Sequence, residues 1–336
     1  MLKIKYPNTQ IFFDDSFENL SSYVQISDMQ NVFYFIDKKV FEIYNDVFNS
    51  LKNIIIIDSN EKSKSIDYSA SLINKLIHLE ANKKSYFIAI GGGVVCDITG
   101  FIASIYMRGV RFAYVPTTVL SITDASLGGK NGVNFNGIKN LVGTINEPDF
   151  ILIDLSFLTS LEKSEVENGF AEIIKHACIA SPELFLYLSK VKINFKSKDF
   201  YHQILQESIS IKLDIVKQDL NDLNQRKVLN FGHTYGHAIE AKYNIPHGCS
   251  VSLGIVFACN ISKQLGYLSI KKVKEVKKLL DKFNLPIDIS RIKIDDIMPF
   301  ILKDKKAKNE KIDFIVLEDI GKAKIIEIEI EKIKYE

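Results

Sequence analysis

The chain has no tryptophan, seven prolines and only four cysteines in 336 residues. Cys96, Cys178, Cys249 and Cys259 are scattered, with no CxxC pair and no framework spacing, which excludes a zinc ribbon and a disulfide-stapled secreted fold. Charge of one sign is also missing. Lys and Arg number 43 against 41 Asp and Glu, a net charge of +2, so nothing points to a nucleic-acid partner or a membrane surface. No apolar run approaches the roughly 18 residues of a membrane-spanning helix, and the Ile54–Ile57 run reads as a buried strand. The opening MLKIKYPNTQIFFDD lacks the apolar core of a leader and meets acids almost at once, so the expected address is the cytoplasm.

What is present describes a folded globular chain, 46% hydrophobic and 25% charged, long enough for two domains. Five apolar runs bounded by turn residues, at 32–37, 53–58, 85–90, 111–116 and 150–154, are continuous rather than alternating, as strands buried on both faces of a parallel sheet are. The segments 61–82 and 94–107 have the length of crossover helices. This βαβ pattern predicts a Rossmann-like α/β domain over 1–159. From 160 to 336 the expected domain is mainly helical, with helices over 164–189, 200–219, 228–243, 249–266 and 271–283 and a closing strand pair at 311–319 and 322–331.

Chemistry-bearing residues gather in three places. AIGGGVVCDITGF (89–101) ends a strand and opens a helix, and glycines there let phosphate oxygens approach backbone N–H groups at the positive end of the helix. Asp97 in this run reads either as a dipole-complementing acid or as a partner for a cofactor ribose or amide. The stretch 106–140, expected to be loop-rich, offers Arg108, Thr117, Thr118, Asp124, Lys130, Lys139 and Asn140, a set suited to an anionic substrate or phosphate. LNFGHTYGHAIEAKYNIPHG (229–248) holds half of the six histidines. His233 and His237 share one helix face, and His247 returns after Pro246. Upstream, GFAEIIKHA places Glu172, Lys175 and His176 on another helix. One carboxylate with two or three imidazoles is a natural divalent-metal site, with His176 a further candidate ligand. Lys212, Arg226 and Asn230 lie on helical ground leading into the histidines, and Arg226 has the fork to bind a carboxylate.

In this order, GGGVVCDITGF, RGVRFAYVPTT, DASLGGKNGVN, GIKNLVG, GFAEIIKH, LNFGHTYGHAIE, HGCSVSLGI and DKKAK resemble the sugar phosphate cyclase family, most closely its 3-dehydroquinate synthases. The resemblance implies a lyase of the shikimate pathway of aromatic amino acid biosynthesis. Such a lyase turns 3-deoxy-D-arabino-heptulosonate 7-phosphate into 3-dehydroquinate and phosphate. Catalytic NAD and a zinc or cobalt ion take part: oxidation of a hydroxyl acidifies the neighbouring C–H, phosphate leaves, and the hydride returns.

By resemblance Glu172, His233 and His247 are the metal ligands, and His237 faces substrate with Lys130, Lys175, Lys212, Asp222, Arg226 and Asn230. Arg108, Asn140 and one of Lys305 or Lys306 hold the phosphate. Arg108 reaches it from a neighbouring subunit, which implies a homodimer. The cofactor would meet Asp37, then Glu61 and Lys64 of the NEKSK stretch, then Gly92, Gly93, Val94 and Asp97. Thr117, Thr118, Leu120, Asp124, Lys139 and Asn140 continue that surface, followed by Phe157, Ser160, Leu161 and Glu165. The chain departs from the family pattern in DLNDLNQR (219–226), where Asp222 replaces a glutamate and Asn224 a glycine, and at Cys249, where glutamate is usual. The alternatives are a sibling cyclase acting on another sugar phosphate and an NAD- and metal-dependent polyol dehydrogenase.

Overall fold

A computed structural model describes residues 2–6, 8–24, 29–219, 224–305 and 311–333. The chain divides into two compact units, one of residues 1–161 with 196–202, the other of residues 162–195 with 203–336.

The first unit is built on a seven-stranded sheet. Its strands are β1 (Leu2–Tyr6), β2 (Thr9–Phe13), β3 (Val32–Asp37), β4 (Ile54–Ile57), β5 (Tyr86–Gly91), β6 (Arg111–Pro116) and, after a separate hairpin, β9 (Phe150–Ile153). Their order is β1-β2-β9-β6-β5-β3-β4, and every pairing except antiparallel β1–β2 is parallel. The five apolar runs are thus five adjacent parallel strands, with β4 at the edge. Val32, Tyr34 and Ile36 of β3 and Tyr86, Ile88 and Ile90 of β5 share one buried cluster with Phe12, Phe48, Phe150 and Phe157. The alternate residues Phe33, Phe35, Phe87 and Ala89 are buried as well. Burial on both faces is why these strands read as unbroken hydrophobic runs.

The region expected to be loop-rich is instead partly a hairpin, β7 (Lys130–Phe135) and β8 (Ile138–Ile145). Its turn is Asn136–Gly137, with φ of 48° and 73°, the left-handed pair that a tight two-residue hairpin turn requires. The largely exposed β8, with no residue buried, lacks the core-facing pattern by which the other strands were read.

The second unit is mainly helical. Its long helices are Lys163–Ala180, Pro182–Lys190, His233–Tyr243, His247–Gln264, Ile270–Lys282 and Ile294–Lys305, with most of Lys198–Gln218. An antiparallel pair, β10 (Lys311–Asp319) and β11 (Lys322–Glu329), closes it. The single helix expected over 164–189 breaks at Ser181–Pro182: proline has no N–H to continue the ladder, and the Ser181 hydroxyl caps the new helix by accepting from Leu184 N–H at 3.1 Å. The helix expected over 228–243 is likewise divided, a 3₁₀ segment at Gln225–Asn230 giving way at left-handed Gly232 (φ 79°). Among the described residues no helix is long and apolar enough to cross a membrane.

Candidate active site: a metal centre and a nucleotide cradle

In the helical unit three segments deliver a compact donor set. Glu172 lies mid-helix in Lys163–Ala180, His233 opens one helix and His247 the next. The last two helices meet almost backbone to backbone. A Cβ on Gly254 would overlap the carbonyl oxygen of Gly232, and one on Gly236 would lie 3.2 Å from the Ser250 oxygen. This close crossing brings the two imidazoles onto one carboxylate: Glu172 Oε1 is 3.4 Å from Nε2 of His233 and 3.4 Å from Nε2 of His247. Ligands of a tetrahedral zinc, each about 2.0–2.1 Å from the ion, stand about 3.3 Å apart, so the donor set fits such an ion in type and spacing.

The outward nitrogens are anchored too. His233 Nδ1 lies 3.2 Å from the Phe231 oxygen, and His247 Nδ1 3.2 Å from Glu240 Oε2. Each contact fixes its ring and turns Nε2 toward Glu172, the orientation that metal-bound histidines take.

Electrostatics follow from burial. Burial alone would raise the Glu172 carboxyl, but the Lys175 ammonium in ion-pair contact, helped by His233 and His247, holds it well below the usual carboxylate range. His233 is pushed well below the ordinary histidine value by burial and by Lys175, against the pull of Glu172. Burial works in the same direction on His247, yet Glu172 and Glu240 together raise it to about 10. A site that holds a proton this firmly between two carboxylates has the negative field a divalent cation needs, and binding would release that proton.

The other histidines stand differently. His237, one helical turn after His233, has its ring centroid 4.9 Å from that of His233 but supplies no atom to the Glu172–His233–His247 donor group. His176 is buried, with Nδ1 2.8 Å from the Ser208 hydroxyl. Lys175, Lys212 and Arg226 are only 1%, 5% and 4% exposed, a concentration of buried cations that ordinary cores avoid. Asn230 ends the 3₁₀ segment that begins at Gln225. Asp222 and Lys306 lie outside the described residues, as does the side chain of Lys305 at the end of its helix. Glu165 is exposed in the first turn of Lys163–Ala180.

In the α/β unit the central strands run β4-β3-β5-β6-β9, the doubly wound order whose ligand crevice opens at the carboxyl ends of the first and third strands in chain order. Here these are β3 and β5, ending in Asp37 and Gly91. A Cβ on Gly91 would lie 3.0 Å from Asp37 Cβ and closer still to Val95. One on Gly92 would come within 3.3 Å of Thr118, and one on Gly93 within 3.1 Å of Ala125. The glycines therefore allow a close-packed cradle at the start of the Gly93–Ile105 helix, which has Val94 as its second residue and carries Asp97. Thr117 Oγ1, buried at the end of β6, has no hydrogen-bond partner among the described residues. A glycine-lined crevice with an orphaned hydroxyl at a helix N-terminus fits a dinucleotide phosphate.

Around that cradle, Lys64 is buried in ion-pair contact with Asp97, whose carboxyl burial pushes up against the pull of the ammonium. Asp37 caps its own helix, accepting from Lys39 N–H at 2.8 Å. Leu120 caps, and Asp124 lies within, the short helical segment Ser121–Ala125 that follows Thr117 and Thr118. Glu61 sits 3.9 Å from the Lys139 ammonium. Phe157 faces the sheet's core, its ring 4.9 Å from that of Tyr44, and Ser160 accepts from the Tyr44 hydroxyl at 2.8 Å; Leu161 ends this stretch. Lys130 opens β7 in an exposed position. Arg108 is exposed in a turn where it and Met107 are both left-handed (φ 62° and 49°), clamped by Lys83, which donates to the carbonyls of Met107 (3.1 Å) and Gly109. Glu240 and Asn134 went unread from sequence. The HAIE run placing an acid seven residues before His247, and the Asn136–Gly137 turn signal, were the cues available.

Solved structures share this architecture. A 2-deoxy-scyllo-inosose synthase complexed with carbaglucose-6-phosphate, NAD+ and Co2+ superposes with a TM-score of 0.87 at 23% identity, covering 99% of this chain and 98% of that one. A Streptomyces hygroscopicus 2-epi-5-epi-valiolone synthase with NAD+ and Zn2+ bound gives 0.85 at 22%, covering 99% and 96%. The chain therefore shares the fold of these two synthases. Two family descriptions match it, 3-dehydroquinate synthase N-terminal over residues 54–168 and 3-dehydroquinate synthase C-terminal over 169–307. The 3-dehydroquinate synthase of Sulfolobus acidocaldarius is 39% identical over 327 residues, 94% of this chain and 92% of its own. That of Saccharolobus solfataricus is 42% identical over 289 residues, 83% and 82%. The chain belongs to the 3-dehydroquinate synthase family.

Proposed function

We propose that the chain is a 3-dehydroquinate synthase, a phosphate-eliminating lyase that converts 3-deoxy-D-arabino-heptulosonate 7-phosphate to 3-dehydroquinate with catalytic NAD and zinc or cobalt. The observation that carries this reading is the Glu172–His233–His247 donor set, spaced for one divalent ion, in a chain about 40% identical to curated synthases across most of its length. When bound, NAD supplies a reversible hydride acceptor and the ion a Lewis acid beside the reacting hydroxyl.

The chain's own residues do the rest. Gly92, Gly93 and Thr118 receive the dinucleotide phosphates, with Lys64, Asp97 and Glu61 flanking them. Glu172, His233 and His247 hold the ion, while Lys175 stabilises the carboxylate. His237, adjacent to the ligands but outside the donor group, faces substrate and passes a proton. Arg226 pairs with the substrate carboxylate, assisted by Lys212 and Asn230. Lys130, Asn140 and one of Lys305 or Lys306 gather around the phosphate and stabilise charge as it departs.

Arg108 reaches that phosphate across a homodimer. The strained Met107–Arg108 turn, flanked by exposed Ile105 and Met107, supports this reading, since such strain persists where it serves a contact. The enzyme works in the cytoplasm, in keeping with its free, unpaired thiols.

The test is to incubate purified protein with the heptulosonate phosphate, catalytic NAD and zinc, and to follow phosphate and product. Phosphate and 3-dehydroquinate without net NADH is the expected result. Stoichiometric NADH formed from a polyol would assign a dehydrogenase instead, and turnover only of another sugar phosphate would assign a sibling cyclase.

A further inference from the structure

The Glu61–Lys64 turn and the Lys139–Asn140 segment are more than 70 residues apart in sequence, and one side chain joins them. Asn134 lies near the end of β7 where the β7–β8 register shifts: Val133 pairs with Val142 but Phe135 with Ile138, so the partner strand carries extra residues opposite it. Such a bulge re-aims the side chains it carries, and here those are Lys139 and Asn140, the latter left-handed at φ 51°.

Asn134 makes four bonds at this point. Its Nδ2 donates to Glu61, at 2.7 Å to Oε1 and at 3.4 Å to the carbonyl; its Oδ1 accepts from Asn140 N–H at 2.9 Å; and its own N–H donates to the Lys64 carbonyl at 2.8 Å. The last is a main-chain bond that any residue would keep. The side-chain bonds to Glu61 and Asn140 need a donor and an acceptor on one planar group, which asparagine has and aspartate lacks.

We propose that Asn134 is a positioning residue for the dinucleotide, fixing Glu61 and the Lys139–Asn140 bulge in one geometry at the mouth of the glycine cradle. The proposal rests on the cofactor reading above. Asn134 acts through Glu61 and Asn140, and its effect falls on cofactor affinity rather than on the ion. Neighbouring lysines do not replace it, because Lys139 is 3.9 Å from Glu61 Oε1, beyond a hydrogen bond.

The experiment measures NAD binding by calorimetric titration, with thermal melting alongside, on the full chain and three variants. Asn134→Asp keeps size and the acceptor for Asn140 N–H but sets a carboxylate against Glu61. The dissociation constant for NAD should rise roughly tenfold or more, as for contacting partners in one network, with metal content unchanged. Glu61→Gln in the Asn134→Asp background restores the bond with donor and acceptor exchanged, and should return affinity to about threefold of the Glu61→Gln chain alone.

Unchanged affinity in Asn134→Asp would overturn the positioning role. So would a loss that tracks a lowered melting temperature and is not restored by Glu61→Gln, because a merely structural asparagine has no reason to be rescued at that one partner. A parent chain that binds no NAD would overturn the cofactor reading itself, and this proposal with it.

Discussion

The two units make their sites by opposite means. In the α/β unit the proposed site rests on residues with nothing to offer: a Cβ on Gly91, Gly92 or Gly93 would crowd Asp37, Thr118 or Ala125, and on the reading above the dinucleotide is left to backbone N–H groups. In the helical unit the decisive residues are crowded and charged, with Glu172 wholly buried among Lys175, His233 and His247. Each means suits its ligand. A dinucleotide is long and needs a surface, whereas an ion is a point and needs converging donors.

The sharpest way to break this contrast is at Glu172. Glu172→Ala removes a ligand and leaves the Lys175 ammonium buried without its carboxylate, a change expected to cost on the order of 3–5 kcal/mol in urea unfolding. If that variant unfolds like its parent and keeps its metal, charge does not organise the helical unit. Arg226→Lys preserves the charge but not the planar fork, and kcat/KM should fall by roughly 2–4 kcal/mol in steady-state assays. Unaltered kinetics there would mean that the fork is not used.

Glu240→Ala leaves all three ligands in place but frees His247 Nδ1, so chelator competition should show metal affinity weakened about 10- to 100-fold. The smallest effect belongs to the other unit. Gly92→Ala should weaken NAD by about 1 kcal/mol, because its Cβ crowds Thr118 and the phosphate approach, with no change in metal content. A metal defect in that variant would erase the distinction between the two sites.

This contrast also explains what could be read in advance. Both means leave marks in composition: a glycine run after an apolar strand, and histidines gathered near a Glu-Lys helix. Continuous apolarity identified the five parallel strands because all but the edge strand β4 are buried on both faces. The β7–β8 hairpin escaped because its outer strand is exposed and carries no buried face, although Asn136–Gly137 signalled the turn.

Ligand choice among the imidazoles was the harder question. Spacing placed His233 and His237 on one face, but the donor group is completed by His247, brought in by the glycine crossing of two helices that periodicity does not reveal. Glu240 stayed silent for the same reason, since a carboxylate becomes an anchor only when a helix-to-helix turn sets it beside His247 Nδ1.

The central claim is that the ion belongs to Glu172, His233 and His247, with His237 beside them but not a ligand. Elemental analysis of His247→Ala and His237→Ala proteins, each stripped with chelator and reconstituted with zinc, tests it most directly. The account predicts a full metal complement in His237→Ala and none in His247→Ala. Metal retained in His247→Ala and lost in His237→Ala would contradict it.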